Sequence, residues 1–313
     1  MKLVSAFFRL VRWPNLVFIA LTQVLFLYCV ILPAFNKADL VPNIYGWRFF
    51  LLCASSVLIA AAGYIINDYF DLDIDQVNKP DKLVVEKIIK RRWTIIWHLV
   101  LSIAGIAMGF VIDFTSRAYL LGFANILCVI LLFIYSISFK KKFLIGNVLI
   151  SLLTAWVILV ITWAENSHIL GFDSNDQLNV NKIIRVTFLY SGFAFIISLI
   201  REVIKDMEDI EGDRRYGCKT MPIMWGVNAT KVFVAVWLIV LVAALLIVQI
   251  YALRLGWWIS VIYCILLTVA PLLWILKKLY TAVSSEDYHK LSSLIKLVMF
   301  TGILSMIFFR IYS

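Results

Sequence analysis

The sequence predicts an all-α integral membrane protein with nine transmembrane helices, and three observations predict it. The composition is 63% hydrophobic and 15% charged, against roughly 45–50% and 25% in soluble domains. Mean hydropathy is +0.95. Apolar runs of about 20 residues, the helical length that crosses a hydrocarbon core, recur along all 313 residues. A soluble enzyme is excluded because its apolar surface would have nowhere to go. The net charge of +10 reads as membrane topology and attraction to the lipid bilayer's anionic headgroups, with no implication of a nucleic-acid partner.

Taken in order, the first run, about 15–35, is longer than a signal-peptide core and no small-residue cleavage site follows it. It therefore reads as a retained anchor, with residues 1–12, including Arg9 and Arg12, at the interface. The second, about 47–66, feeds a helix that Pro80 should end. The third, about 93–112, carries Gly105 and Gly109 as GxxxG, a close-packing face. The fourth and fifth, about 118–138 and 146–163, flank the basic segment 139–145, and the segment 164–182 suits an outer loop with Glu165, Asp173 and Asp176 against Lys182. The sixth, about 183–200, leads into a second acidic segment in which Gly212 is expected to break the helix. Spans at about 232–252, 257–276 and 291–309 complete the set, the last holding Lys296, whose stem is long enough to snorkel. No composition shift marks a soluble domain, so 1–313 reads as one polytopic domain. Cys29, Cys53, Cys128, Cys218 and Cys264 show no CxxC, and His98, His168 and His289 are scattered, so neither zinc nor haem is supported.

With the N-terminus inside, 21 Lys and Arg fall in inner segments and seven outside: Lys37, Arg48, Arg117, Lys182, Arg185, Arg254 and Arg310. That bias predicts a cytoplasmic N-terminus and an external C-terminus in the cell's inner or plasma membrane. Eleven of the 19 acids then cluster at inner helix ends: Asp68, Asp71, Asp73, Asp75 and Asp81 in one stretch, and Glu202, Asp206, Glu208, Asp209, Glu211 and Asp213 in another. At 100° per residue Asp68, Asp71 and Asp75 share a helical arc of about 60°, and Asp206, Asp209 and Asp213 repeat the spacing. Two carboxylates 6 Å apart repel by roughly 3 kcal/mol at an effective dielectric of 20. A divalent cation relieves that repulsion, and hard oxygen donors, with the Asn67 amide among them, suit Mg²⁺ shared with substrate phosphates.

The residues that carry these acids also carry a resemblance. Asn67-Asp68-Tyr69-Phe70-Asp71-Leu72-Asp73-Ile74-Asp75 reads NDxxDxxxD, and Asp209-Ile210-Glu211-Gly212-Asp213 reads DxxxD within a run that starts at Arg201. Together they resemble the UbiA superfamily of intramembrane prenyltransferases. The longer runs, NDYFD..ID..NKPDK and REVIKDMEDIEGD...G.KTMPI, look most like its digeranylgeranylglyceryl phosphate synthase branch of ether-lipid synthesis. Arg12-Trp13-Pro14-Asn15, Tyr135-Ser136 before Lys140-Lys141, and Gly146-Asn147 are similar to it as well. The segment Lys79–Glu86 departs from the branch in lacking further prolines and a glycine.

The resemblance implies a nine-helix bundle around a central cavity, with the two motifs facing each other across its cytoplasmic mouth. It implies Mg²⁺ ligated by Asn67, Asp68, Asp71, Asp75, Asp206, Asp209 and Asp213, gripping a polyprenyl diphosphate. Asp68, Asp71, Asp209 and Tyr135 are the expected catalytic residues. Asn15, Tyr64, Lys79, Lys82, Lys140, Lys141, Asn147, Arg201, Lys205 and Lys219 are expected at the substrates. Ionisation of the allylic carbon–oxygen bond then delivers the prenyl group, geranylgeranyl by the branch, to a prenylglyceryl phosphate, with an aromatic quinone precursor as the alternative acceptor. Lys87, Lys90, Arg91 and Arg92 are further candidates for the acceptor's phosphate. A secondary transporter is the remote alternative, disfavoured because such proteins place their charges near the midplane on broken helices.

Overall fold

The structure is a computed structural model that describes residues 2–78, 84–116, 118–166 and 179–312. Lys79 and Lys82 therefore lie outside the described residues. In hydrocarbon every backbone N–H and C=O must be satisfied within its own segment, so apolar runs of this length fold as helices. Among the described residues eight helices of 20–29 residues are long and apolar enough to span, and a ninth, Leu121–Ile137, is shorter. Each of the nine apolar runs read from the sequence falls on one of them. This is an integral membrane protein.

The chain divides into two compact units. The first comprises residues 1–140 and 156–188. Helix α1 (Lys2–Leu10) buries Ala6 and Leu10 and exposes Leu3, Val4 and Phe8. Arg12, in the left-handed region at φ 52°, turns the chain into α2 (Trp13–Asn36), whose Pro14 sits in the first turn, where a missing N–H is harmless. Helices α3 (Trp47–Phe70), α5 (Arg91–Thr115) and α6 (Leu121–Ile137) pack closely through small residues, and α4 (Leu72–Asn78) continues from α3. A Cβ on Gly105 would stand 2.7 Å from Ile59 Cγ1, and one on Gly109 would stand 3.0 Å from Gly122 Cα, so the GxxxG pair is a packing face. Inside that contact Asn125 Nδ2 donates to Ser55 Oγ (2.8 Å) and to the Gly105 carbonyl (3.0 Å), giving buried polar atoms partners. Asp113 accepts from the N–H groups of Leu121 and Gly122 and so caps α6. His98 is a satisfied core residue, Nδ1 lying 3.0 Å from the Ala62 carbonyl.

The second unit comprises residues 141–155 and 189–313. It draws on the first part of α7 (Ile145–Ala164) and the last part of α8 (Val180–Glu208). It adds the short α9 (Ile210–Arg215) and α10 (Met221–Met224), then α11 (Val227–Arg254), α12 (Trp258–Thr281) and α13 (Ser285–Ile311). Its core is aliphatic, with Ile197, Ile200, Ile204, Leu238, Leu272, Ile275 and Ile295 all fully buried. A reciprocal capping box between Ser284 and Asp287 starts α13.

Two expectations are corrected. Gly212 does not break its helix, since α9 runs through it to Arg215. The acids of each motif also do not sit on one straight helix: α3 ends at Phe70 and α8 at Glu208, and each helix bends at the middle aspartate of its motif. Asp71 has φ −91°, ψ 0° and Asp209 has φ −99°, ψ 11°, both in the bridge region between helix and strand. The hydrogen bonds survive the bend, with Asp71 N–H on the Asn67 carbonyl (2.9 Å) and Asp75 N–H on the Asp71 carbonyl (2.8 Å). Asp209 N–H likewise reaches the Lys205 carbonyl (2.9 Å), and Asp213 N–H the Asp209 carbonyl (3.2 Å).

Candidate functional site

Each unit carries one acidic pole built on such a bend. In the first unit the end of α3 presents Asn67 and Asp68, the bend presents Asp71, and α4 presents Asp75. Asn67 Nδ2 donates to Asp71 Oδ2 at 2.7 Å, while its Oδ1 accepts from Lys140 Nζ at 3.3 Å. Lys140 Nζ also lies 2.6 Å from Asp71 Oδ1, and the two side chains are only 9% and 16% exposed, so water screens this pair little. Arg12 Nη2 donates to Asp68 Oδ1 at 2.7 Å, with its guanidinium 5.1 Å from the centre of the Tyr64 ring. The Asp68 charge outweighs burial and raises the Arg12 pKa above its ordinary value, so Arg12 is a permanent cation. The sequence brings these groups together because Tyr64 and Asp68 are one turn apart on α3 and the left-handed Arg12 directs its side chain at that turn.

In the second unit Asn147 Nδ2 donates to Asp206 Oδ2 at 2.9 Å. Asp213 and Glu202 act on Asp206 electrostatically. Glu202 receives Arg201 Nη1 at 3.2 Å and Lys205 Nζ at 3.0 Å. The Lys219 N–H donates to the Lys141 carbonyl (2.8 Å), and the Cys218 N–H to the Asp213 carbonyl (2.9 Å), which folds the 214–220 segment back along the bend. Glu208 Oε1 lies 2.8 Å from His289 Nδ1.

The structure thus gathers Tyr64, Asn67, Asp68, Asp71 and Lys140 in one unit, and Asn147, Arg201, Lys205, Asp206 and Asp213 in the other. Asn15 lies in the first turn of α2, its N–H on the Arg12 carbonyl (2.8 Å). Tyr135 is half-buried near the end of α6, and Lys141 and Lys219 meet through backbone atoms. Arg201 and Lys205 both pair with Glu202. Sequence reasoning placed Arg12 at the interface and missed it as the partner of Asp68. The available signal was a lone cation directly before Trp-Pro, at the start of a span.

Among the described residues no three His, Cys, Asp or Glu side chains converge on one point. Mg²⁺ needs no such cage, because it keeps waters and shares ligands with phosphates. Each pole offers it carboxylate oxygens oriented by an asparagine amide, the hard donor set it prefers. Arg12 pairs with Asp68 and Lys140 with Asp71.

A model of the UbiA prenyltransferase family matches residues 12–303. The digeranylgeranylglyceryl phosphate synthase of Methanosphaera stadtmanae is 28% identical over 269 residues, which covers 85% of this chain and 89% of that relative. Two solved structures share the fold. A UbiA homologue from Aeropyrum pernix superposes with TM-score 0.62 at 15% identity, covering 97% of this chain and 98% of the other. One from Archaeoglobus fulgidus, solved bound to DMAPP and Mg²⁺, gives 0.58 at 17% identity, covering 96% and 98%.

Proposed function

The chain belongs to the UbiA prenyltransferase family, and from that premise we propose Mg²⁺-dependent transfer of a geranylgeranyl group from its diphosphate to the hydroxyl of a prenylglyceryl phosphate. The observation that carries this reading is the doubled pole. In each unit an aspartate-rich helix bends at its middle aspartate, and an asparagine amide holds a carboxylate of the same motif. The name of the Methanosphaera relative supports the acceptor, and the DMAPP and Mg²⁺ in the Archaeoglobus homologue support the donor and the metal.

Bound Mg²⁺ would supply Lewis-acid stabilisation of the leaving diphosphate. In the first pole Asn67, Asp68, Asp71 and Asp75 would hold such an ion, and in the second pole Asp206, Asp209 and Asp213. Lys140, which pairs with Asp71 at 2.6 Å, would add positive charge where negative charge develops on the leaving group. Lys205, Lys141 and Lys219 add to the field of the second pole. Tyr64 and Tyr135 present π faces that stabilise an allylic cation and keep water from it. The 1–313 chain acts as one prenyltransferase, with its N-terminus and both poles on the cytoplasmic side, as the Lys and Arg bias supports.

The test is transfer from radiolabelled geranylgeranyl diphosphate by purified protein with Mg²⁺ or EDTA, offering geranylgeranylglyceryl phosphate, 4-hydroxybenzoate and dihydroxynaphthoate. Chelator-sensitive transfer to the glyceryl phosphate is expected. Transfer only to an aromatic acceptor would overturn the acceptor, and no diphosphate release with any acceptor would overturn the reaction.

A further inference from the structure

The proposed reaction gives Glu208 no part, although it directly precedes Asp209 of the second motif and its side chain is only 9% exposed. On α8 it stands two residues, about 200°, from Asp206, so the two carboxylates leave the helix on opposite faces. Asp206 meets Asn147. Glu208 meets the start of α13, in the same unit. His289 Nδ1 lies 2.8 Å from Glu208 Oε1, and because a carboxylate only accepts, the imidazole N–H donates. Ser285 Oγ donates to the Glu208 carbonyl at 2.9 Å, one of the last carbonyls of α8, which have no partner within their own helix. α13 thus holds the final residue of α8 by side chain and backbone together.

This grip falls immediately before the bend. Asp209 lies in the bridge region, and a sparsely populated backbone conformation persists where the surrounding structure over-determines it. A straight α8 would carry Asp209 and Asp213 in other directions relative to Asp206. The gripping element is itself fixed, because the capping box between Ser284 and Asp287 locks the first turn of α13, where Ser285 sits, and His289 follows one turn later. The first unit has a parallel contact. Arg91, the first residue of α5, places its guanidinium 4.3 Å from the centre of the Tyr69 ring, two residues before the Asp71 bend, and its N–H donates to the Glu86 carboxylate at 3.0 Å.

Resting on the reading that the second pole binds Mg²⁺, we infer that His289 is a positioning residue for that pole. Together with Ser285 it anchors Glu208 and keeps Asp209 and Asp213 in their bent arrangement before any metal arrives. A pole ordered in advance binds its ion without first spending binding energy on arranging its ligands.

The experiment takes the full chain in nanodiscs and reads two quantities. The first is amide hydrogen exchange in EDTA, with no prenyl diphosphate. His289→Ala should exchange residues 206–216 about tenfold faster than wild type, the worth of one hydrogen bond to a charged group, with the rest of the chain unchanged. Ser285→Ala, which leaves the capping box intact, should loosen the same segment. His289→Asn, whose amide N–H stands where Nδ1 stood, should restore protection. The second quantity is Mn²⁺ affinity by paramagnetic resonance, with His289→Ala expected to bind about tenfold more weakly and His289→Asn close to wild type. Unchanged exchange at 206–216 in His289→Ala overturns the inference, as does faster exchange with unaltered Mn²⁺ affinity. A wild type that binds no Mn²⁺ overturns the metal reading instead, and the exchange in EDTA still decides whether His289 holds the bend.

Discussion

Lys140 and Asp71 form the most enclosed ion pair of the first pole, and removing one member of a shielded pair leaves the other uncompensated at about 3–5 kcal/mol. Lys140→Met should therefore lower the unfolding midpoint in EDTA, and added Mg²⁺ should recover part of the loss by taking the lysine's place on Asp71; thermal scans with and without metal check both. Asp71→Asn or Asp209→Asn should reduce turnover at least roughly a hundredfold, read as initial rate at saturating Mg²⁺, with the fold intact in detergent. Arg12→Gly separates backbone from charge, because glycine accepts the left-handed turn at no steric cost. That variant should fold normally and lose activity. Far along the chain, Glu165 is fully buried and accepts the N–H groups of Asn43 (2.9 Å) and Ile44 (2.8 Å). Burial pushes its pKa up from 4.5 to about 7. The folded state then holds the proton more tightly than the unfolded one. Its stabilisation is complete below about pH 4.5 and is lost as pH rises through 7, by roughly 3 kcal/mol. Glu165→Gln should flatten this part of the pH dependence of thermal unfolding, and parallel profiles for the two proteins would refute the assignment. The motif acids were legible because carboxylates repel at helical spacing. Arg12 and Glu165 were not, because nothing in their neighbours' identities says which distant backbone or carboxylate they meet.

At the scale of elements, the eight long spans and the shorter Leu121–Ile137 among the described residues follow from apolar run length, and the two bends do not. The sequence repeats the acid spacing, which fits a straight helix as well as a bent one. The bridge-region aspartates appear only once the backbone is traced. The GxxxG pair was readable as a packing face, yet its partners, Ile59 for Gly105 and Gly122 for Gly109, depend on which helices meet. Gly109→Ala drives a Cβ against the backbone of α6 and should cost about 1–3 kcal/mol. Gly192→Ala, with nothing within 4 Å of the new Cβ, should instead leave stability unchanged or raise it by up to about 1 kcal/mol through helix propensity. Thermal unfolding of the two variants side by side tests the contrast.

For the whole molecule, membrane class was legible because it is compositional, and the Lys and Arg bias makes orientation a prediction. Cysteine-free protein carrying Lys142→Cys should resist a membrane-impermeant maleimide applied outside intact cells, whereas Val41→Cys should react. The reverse pattern would invert the topology. The division into two units was invisible, since it runs through the middle of α7 and α8 and leaves no linker in the sequence. That division bears on the order of synthesis. Gln23, with no exposed surface, donates its amide to the Val157 carbonyl (3.1 Å) as well as to Ser56 Oγ (2.9 Å), and Glu165 closes on Asn43 and Ile44. The first unit thus cannot finish when its first helices leave the ribosome. It waits, with polar groups provisionally satisfied in the bilayer, until more than half the chain has been made. Nascent chains arrested before residue 157 should consequently remain protease-sensitive and in contact with the insertion machinery, and chains arrested past residue 188 should not.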